Sequence, residues 1–275
     1  MKKALVFLLI FTTGYVLFAQ QRSGQDGLVY EIVDGRSVTI TKYTGNATTL
    51  NIPAQIKDLP VTAIGYEAFR YCESLTSVTI PSSVTKIGFY AFFDCSSLTS
   101  VTVDNRNPSY ASIDGVLFDK SMRNIISYPA GKTARTYTIP SSVTDIREGA
   151  FYFCINLTSV TIPSSVTLIR EGAFFGCSSL TSVTIPSSVT IIGEGAFVGC
   201  ESLTSISIPS SVTSIGDRAF LLCESLTSVT IPSSVTEIGE SAFARCDSLT
   251  SVTLSRRTQV GEGAFPENAR IIYRD

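Results

Sequence analysis

The chain has 275 residues, 21 of them Lys or Arg against 23 Asp or Glu; 44% are hydrophobic and only 16% charged. This balance excludes a basic nucleic-acid binder and a charge-rich disordered chain, and the length suffices for a substantial buried core. There is no His, which removes His-based acid–base chemistry, Ser-His and Cys-His nucleophile pairs and imidazole zinc sites. Ser and Thr together number 68, about a quarter of the chain, and demand a structural reason.

At the N-terminus, Met1-Lys2-Lys3 precedes an apolar run from Ala4 to Ala19. A basic start before a run this short predicts a secretory signal peptide over residues 1–19, cleaved between Ala19 and Gln20. No second apolar run of membrane length follows, so the mature chain is expected to be exported and soluble, without an integral membrane segment. Residues 28–42 then alternate as Leu28, Tyr30, Ile32 and Val38, Ile40 around Asp34-Gly35. This pattern predicts a hairpin that, with a first coil, caps the N-terminal end over 27–62.

From there an internal period dominates. Ala-Phe recurs with its Phe at 69, 92, 151, 174, 197, 220, 243 and 265, at intervals of 23, 59, 23, 23, 23, 23 and 22. Cys follows three residues after the first seven of these, as Cys72, Cys95, Cys154, Cys177, Cys200, Cys223 and Cys246; Asn268 stands in the eighth place. Within one unit, Leu180, Val183 and Ile185 end in the period-two step of a short strand with one buried face. Pro186-Ser187-Ser188 turns the chain, Val189 and Ile192 form a second inward pair, Gly193 permits a corner, and Ala196, Phe197 and Cys200 close a tight turn. No stretch carries the long 3.6-residue period of a helix, so the reading is mainly β, with parallel, in-register short strands stacked coil on coil and no long helices apart from the signal segment. One coil cannot bury its own apolar face, so stability must come from stacking.

The solenoid is assigned to 63–254. Its one long interval equals a regular unit plus a 36-residue insertion, with a hairpin at about 104–136. There Val116–Phe118 and Ile125–Tyr128 are expected to pair and project from the stack, as a partner contact or a spacer. The C-terminal cap is placed at 255–275, where Ile271-Ile272-Tyr273 forms a last strand. Arg270, Arg274 and Asp275 flank it and would deter further stacking.

The pattern Leu-x-x-Val-x-Ile-Pro-x-x-Val-x-x-Ile-Gly-x-x-Ala-Phe-x-x-Cys resembles the bacterial BspA-type (treponemal-type) leucine-rich repeat, from about residue 28 to the C-terminus. The insert running from Val103 through Asn107-Pro108 and Asp114-Gly115 to Phe118 also resembles a segment of that family. The resemblance implies a right-handed solenoid, a bacterial protein in an exported or surface location, and binding to other proteins, host matrix proteins in some members. It implies no catalytic residues.

Three constellations bear on chemistry. The seven cysteines repeat at strand spacing, too wide for disulfides between neighbouring coils, and no CxxC pair exists for zinc. They read as buried thiols donating to backbone, with Asn268 donating to the next coil in their place. The outward residues of the main strand form Ser and Thr columns, among them Ser159, Thr161, Ser182, Thr184, Ser205, Ser207, Ser228 and Thr230. These suit an exposed strand, and they also make a hydroxyl-bearing face for a protein or glycan partner, or an ice-binding lattice. An acidic column, Glu148, Glu171, Glu194, Asp217 and Glu240, lies two residues before successive Ala-Phe alanines. It reads as a network solvated and partly neutralised by Arg147, Arg170, Arg218 and Arg245, or as a stripe for a cation or a basic partner.

Gly131-Lys132-Thr133 imitates the end of a phosphate loop, but the first Gly is missing and no helix follows. With no base, metal cluster or nucleophile pair, no cofactor is expected. The expected role is non-enzymatic protein–protein recognition, as in adhesion or surface interaction, with no nucleic acid involved. The alternative is an architectural component of the periplasm or cell surface. The oligomeric state is left open.

Overall fold

Every 23 residues the sequence presents the same inward side chains, and the chain closes each coil on the one before it. The structure, a computed structural model, describes residues 22–23 and 26–274. The expected signal peptide therefore lies outside the described residues. The fold is mainly β, a solenoid of about ten turns with no helix among the described residues.

Two parallel ladders run along the stack. The main strands pair in three stretches: Thr49–Asn51, Ser77–Ile80 and Ser100–Val103; Thr136–Thr138, Ser159–Thr161 and Ser182–Thr184; Ser228–Thr230, Ser251–Ser255 and Arg270–Arg274. The pairing is in phase, with Val160 opposite Val183 and Val229 opposite Val252. The second ladder is built from two-residue strands, among them Leu168–Ile169, Ile191–Ile192, Ser214–Ile215 and Glu237–Ile238. Its isoleucines sit one above another, Ile169 on Ile192 and Ile192 on Ile215.

At the tight turn, six of the eight Phe N–H groups donate to the Ala carbonyl of the following coil, as from Phe174 to Ala196 at 2.8 Å and from Phe197 to Ala219 at 2.7 Å. The phenyl rings beneath form a rod. Centroids of Phe151, Phe174, Phe197, Phe220 and Phe243 follow at 4.9, 5.2, 5.2 and 4.9 Å, with adjacent planes within 17°. This displaced stacking is a favourable ring arrangement, and all five side chains are fully buried.

All seven cysteines are free and buried. Six thiols donate to the carbonyl of the ring residue one coil back, for example Cys177 to Phe151 at 3.1 Å and Cys246 to Phe220 at 3.1 Å. Asn268 also donates backwards, its Nδ2 to the Asp247 carbonyl at 3.3 Å, so the bonds run to the preceding coil and not to the next. Gly193 is needed for a reason other than turn conformation, since its φ is not in the left-handed region. A Cβ there would sit 2.8 Å from the Ile169 carbonyl oxygen, and one on Gly216 would sit 2.6 Å from the Glu194 nitrogen. The coils approach too closely at this corner for a side chain to grow inward.

The abundance of Ser and Thr has its explanation in the corners. Thr181 Oγ1 donates to the Thr158 carbonyl at 3.0 Å, Thr213 Oγ1 to the Thr190 carbonyl at 3.2 Å, and Ser211 Oγ to the Val189 carbonyl at 2.7 Å. Equivalent residues repeat these bonds along the stack. The Thr hydroxyls share their carbonyl with the N–H of the same Thr, and the Ser hydroxyls supply a donor to the Val carbonyl of the preceding turn.

At the N-terminal end, Leu28–Val33 and Ser37–Tyr43 form an antiparallel hairpin, and Ser37–Tyr43 runs parallel to Leu59–Ile64. Leu28, Tyr30, Val38, Ile40 and Tyr43 are buried against the first coils. At the other end Arg270–Arg274 pairs parallel with Ser251–Ser255 and is the outermost strand of its ladder. Asp275 lies outside the described residues.

The insertion departs from expectation: it does not project. Tyr110–Ile113 and Val116–Asp119 pair antiparallel around Asp114-Gly115, and Val116–Asp119 pairs antiparallel with Asn124–Ser127. That third strand then joins Asp145–Ile146 in the second ladder. Val116, Leu117 and Phe118 are all fully buried. Val116 and Phe118 belong to the core of the C-terminal half and Leu117 to that of the N-terminal half, so the strand splices two cores. Buried Asn107 fixes the entry: its Nδ2 donates to the Pro81 and Val84 carbonyls at 2.8 and 2.9 Å, and its Oδ1 accepts from the Ser109 and Tyr110 amides at 2.8 Å each. Tyr128 occupies the ring position of the spliced coil. It stacks on Phe151 at 5.3 Å, and its N–H donates to the Ala150 carbonyl at 2.8 Å.

Candidate functional site

Three surfaces follow from this register. The first is the face of the main strands. Alternation sends Val160, Val183 and Val229 inward and the residues on either side outward. Thr161, Ser182, Thr184, Ser205, Ser207, Ser228 and Thr230 are exposed and Ser159 is half-buried. Ser159 and Ser182 stand opposite one another, as do Thr161 and Thr184, and a single bridge extends the column from Thr184 to Ser207. The corner hydroxyls are committed to carbonyls of the stack. The hydroxyls of these eight, by contrast, make no hydrogen bond to another described residue. They form a face of hydroxyls turned to solvent.

The second surface is the acidic column, which the structure breaks up. Arg170 binds Asp145 through two contacts of 2.6 and 2.8 Å and reaches Glu148 at 3.2 Å. Arg218 meets Glu194 at 3.3 Å, and Asp217 Oδ1 accepts the Glu240 amide at 2.8 Å. Arg147 is drawn away, its guanidinium 4.6 Å over the ring of Phe89. The Arg218–Glu194 pair is solvent-exposed and contributes little, whereas the two-contact Arg170–Asp145 pair is partly buried. Among the described residues no group of three or more His, Cys, Asp or Glu is placed to hold a metal ion.

The third surface was not anticipated from the sequence. Around the first four Ala-Phe pairs flanking residues are aromatic, and the turn lines them up along one edge. Phe93 lies 4.2 Å from Tyr152, Tyr152 stacks on Phe175 at 4.6 Å and 6°, and Tyr90 meets Tyr66, Phe93 and Tyr152 edge-on at 6.1, 5.9 and 6.3 Å. Tyr71, Tyr90 and Phe153 hold left-handed backbone, with φ of 59°, 56° and 50°, at positions where other coils place Gly. Such a conformation is unfavourable for a bulky residue. The sequence signal was present, since aromatic residues replace the Gly, Val or Leu of later coils at these positions, but only the coil register shows that they meet.

A cleft of about 280 Å³ opens in this edge between the rings of Tyr66, Tyr90, Phe93, Tyr152 and Phe175 and the carboxylates of Glu171 and Glu194. Burial, followed by the charges of Glu171 and Glu148, pushes the Tyr90 hydroxyl up to about 12. The thiols of Cys154, Cys200 and Cys223 are pushed well up, chiefly by burial, as suits inert packing groups. No helix among the described residues is long and apolar enough to cross a membrane.

Comparison with known proteins places this geometry. The sequence profile of the BspA type leucine-rich repeat region matches in six copies, over residues 41–133, 62–192 and 130–250. A leucine-rich cell surface protein of Faecalibacterium prausnitzii is similar at 26% identity and a TM-score of 0.61, over 86% of this chain and 95% of that one. A leucine-rich repeat protein of Bacteroides ovatus is similar at 26% identity and a TM-score of 0.58, over 90% of this chain and 70% of that one. The pneumococcal vaccine antigen PcpA shares the fold at 18% identity and a TM-score of 0.66, over 92% and 93% of the two chains. No curated protein matches the chain.

Proposed function

The chain belongs to the BspA-type leucine-rich repeat family, and we propose that it is an exported, non-enzymatic recognition protein that acts at the bacterial surface, in adhesion or in contact with another surface protein. The fold is that of bacterial leucine-rich repeat surface proteins and is consistent with protein–protein interaction. The basic, then apolar, first 19 residues support export, and the cell-surface description of the F. prausnitzii relative supports the location. One observation carries the reading: the hydroxyls of Ser159, Thr161, Ser182, Thr184, Ser205, Ser207, Ser228 and Thr230 lie in columns on a rigid face, exposed or half-exposed, while those of the corners are bonded within the stack. Such a face can make many modest contacts over several coils.

The test replaces Thr161, Thr184 and Thr230 with Val, which keeps the branched shape and removes the hydroxyl. The triple variant should melt within a few degrees of the parent and bind an immobilised matrix protein about tenfold more weakly. Protection of the chain from protease added to intact cells, or no saturable binding by the parent to any of a panel of matrix proteins, would overturn the proposal. Concentration-dependent self-assembly in place of such binding is what an architectural component would show.

A further inference from the structure

The aromatic edge supports a reading beyond the hydroxyl face. We infer that the cleft between Tyr66 and Phe175 receives a Lys or Arg side chain presented by a partner protein. Three observations converge on a cation. Its walls are aromatic, with Tyr152 and Phe175 stacked nearly parallel at 4.6 Å and Tyr66 and Tyr90 at right angles 6.1 Å apart. Its charged lining is Glu67, Glu171, Glu194 and Arg218; Arg218 is within 3.3 Å of Glu194 and Glu67 is bonded by Arg70 at 2.6 Å, which leaves Glu171. Glu171 has no basic side chain within ion-pair distance among the described residues, so one carboxylate faces the rings without a counter-charge of its own.

The third observation is that the same edge already solves this chemistry with its own residues. The Arg70 guanidinium lies 4.5 Å over Tyr71 and 4.9 Å over Phe93, while bonding Glu67 at 2.6 Å and the Tyr71 hydroxyl at 2.7 Å. Arg147 lies 4.6 Å over Phe89. Rings plus a carboxylate therefore hold a guanidinium at a neighbouring position, and the Tyr66–Phe175 cleft repeats the pairing at Glu171, a carboxylate with no cation of the described residues within ion-pair distance. At about 280 Å³ the cleft is slightly smaller than a drug-sized pocket, a size suited to one long side chain. Tyr66, 63% exposed, stands at its mouth.

The experiment titrates the purified full chain with a tetra-arginine peptide and with the neutral isostere tetra-citrulline, read by calorimetry. Tetra-arginine should bind the parent, and tetra-citrulline at least tenfold more weakly. Glu171→Gln and Tyr66→Ala should each weaken tetra-arginine about tenfold, and Glu240→Gln, on the same column but outside the cleft, should leave it unchanged. Both cleft residues are exposed, so an unchanged melting curve shows that each variant is folded. Equal binding of the two peptides, an equal loss in Glu240→Gln, no binding of tetra-arginine, or preferential binding of maltoheptaose, which would mark the rings as a sugar platform, would each overturn the inference. None of these outcomes bears on the hydroxyl face, which lies on different residues.

Discussion

A single ring shows how tightly each position is specified. Phe197 is fully buried between Phe174 and Phe220, each 5.2 Å away, and its carbonyl accepts the Cys223 thiol at 3.3 Å. Phe197→Ala opens a cavity in the middle of the rod and should cost about 3–5 kcal/mol, measured by chemical denaturation. Tyr128 presents the opposite case. It fills the same position, but its hydroxyl is buried and meets no hydrogen-bond partner among the described residues. Tyr128→Phe removes that unpaired group and should raise stability by about 1 kcal/mol in the same assay. The thiols and the Thr hydroxyls of the corners show a second rule, that small donors repeat at the same carbonyls of the neighbouring coil and add a second bond where a backbone N–H already donates.

The strands are short because each coil bends after two to five residues, and the insertion is the one element that breaks the rhythm. Its Asp119 organises the turn into Asn124–Ser127, accepting from the Arg123 and Asn124 amides at 2.8 Å each and from the Asn124 side chain at 2.9 Å. Burial pushes the Asp119 carboxyl up, but the donors from Ser121, Asn124 and Arg123 outweigh it and hold the group below its ordinary value. A depressed value in the folded state means that the stabilisation is present above the ordinary Asp pKa of about 3.9 and is lost as pH falls through the folded value. Asp119→Asn should therefore cost about 1–2 kcal/mol near neutral pH, and the difference in melting temperature from the parent should close below about pH 4. A gap that persists unchanged to pH 2 would mean that the charge is not what holds the turn.

Across the whole molecule, two cores meet at the splice. One ring column runs from Tyr43 through Phe69 to Phe92, and the other from Tyr128 to Phe265. Within the second, every coil contacts its neighbours through the same ladder and the same ring, so stability is close to a sum of coil and interface terms. Deleting residues 178–200, one full period, should leave a shorter solenoid that melts cooperatively within several degrees of the parent. Deleting residues 178–188 puts every later side chain out of phase, turns core positions to the surface, and should abolish the cooperative transition seen by circular dichroism. Equal tolerance of the two deletions would contradict in-register stacking.

The period, the strands, the free thiols and the family could be read directly from the order of residues, because each coil restates the same local pattern and the stack merely repeats it. Ala-Phe with Cys three residues on was enough to place Phe174, Phe197 and Phe220 in one rod. Less was legible where contact depends on residues far apart in the chain. Val116–Phe118 looked like the arm of a projecting hairpin, since alternation reveals that a strand has a buried face but not what buries it. The meeting of Tyr66, Tyr90, Tyr152 and Phe175 was hidden for the same reason. These residues are up to 109 positions apart, and they become neighbours only once the insertion has been folded into the stack and their four turns have been set edge to edge.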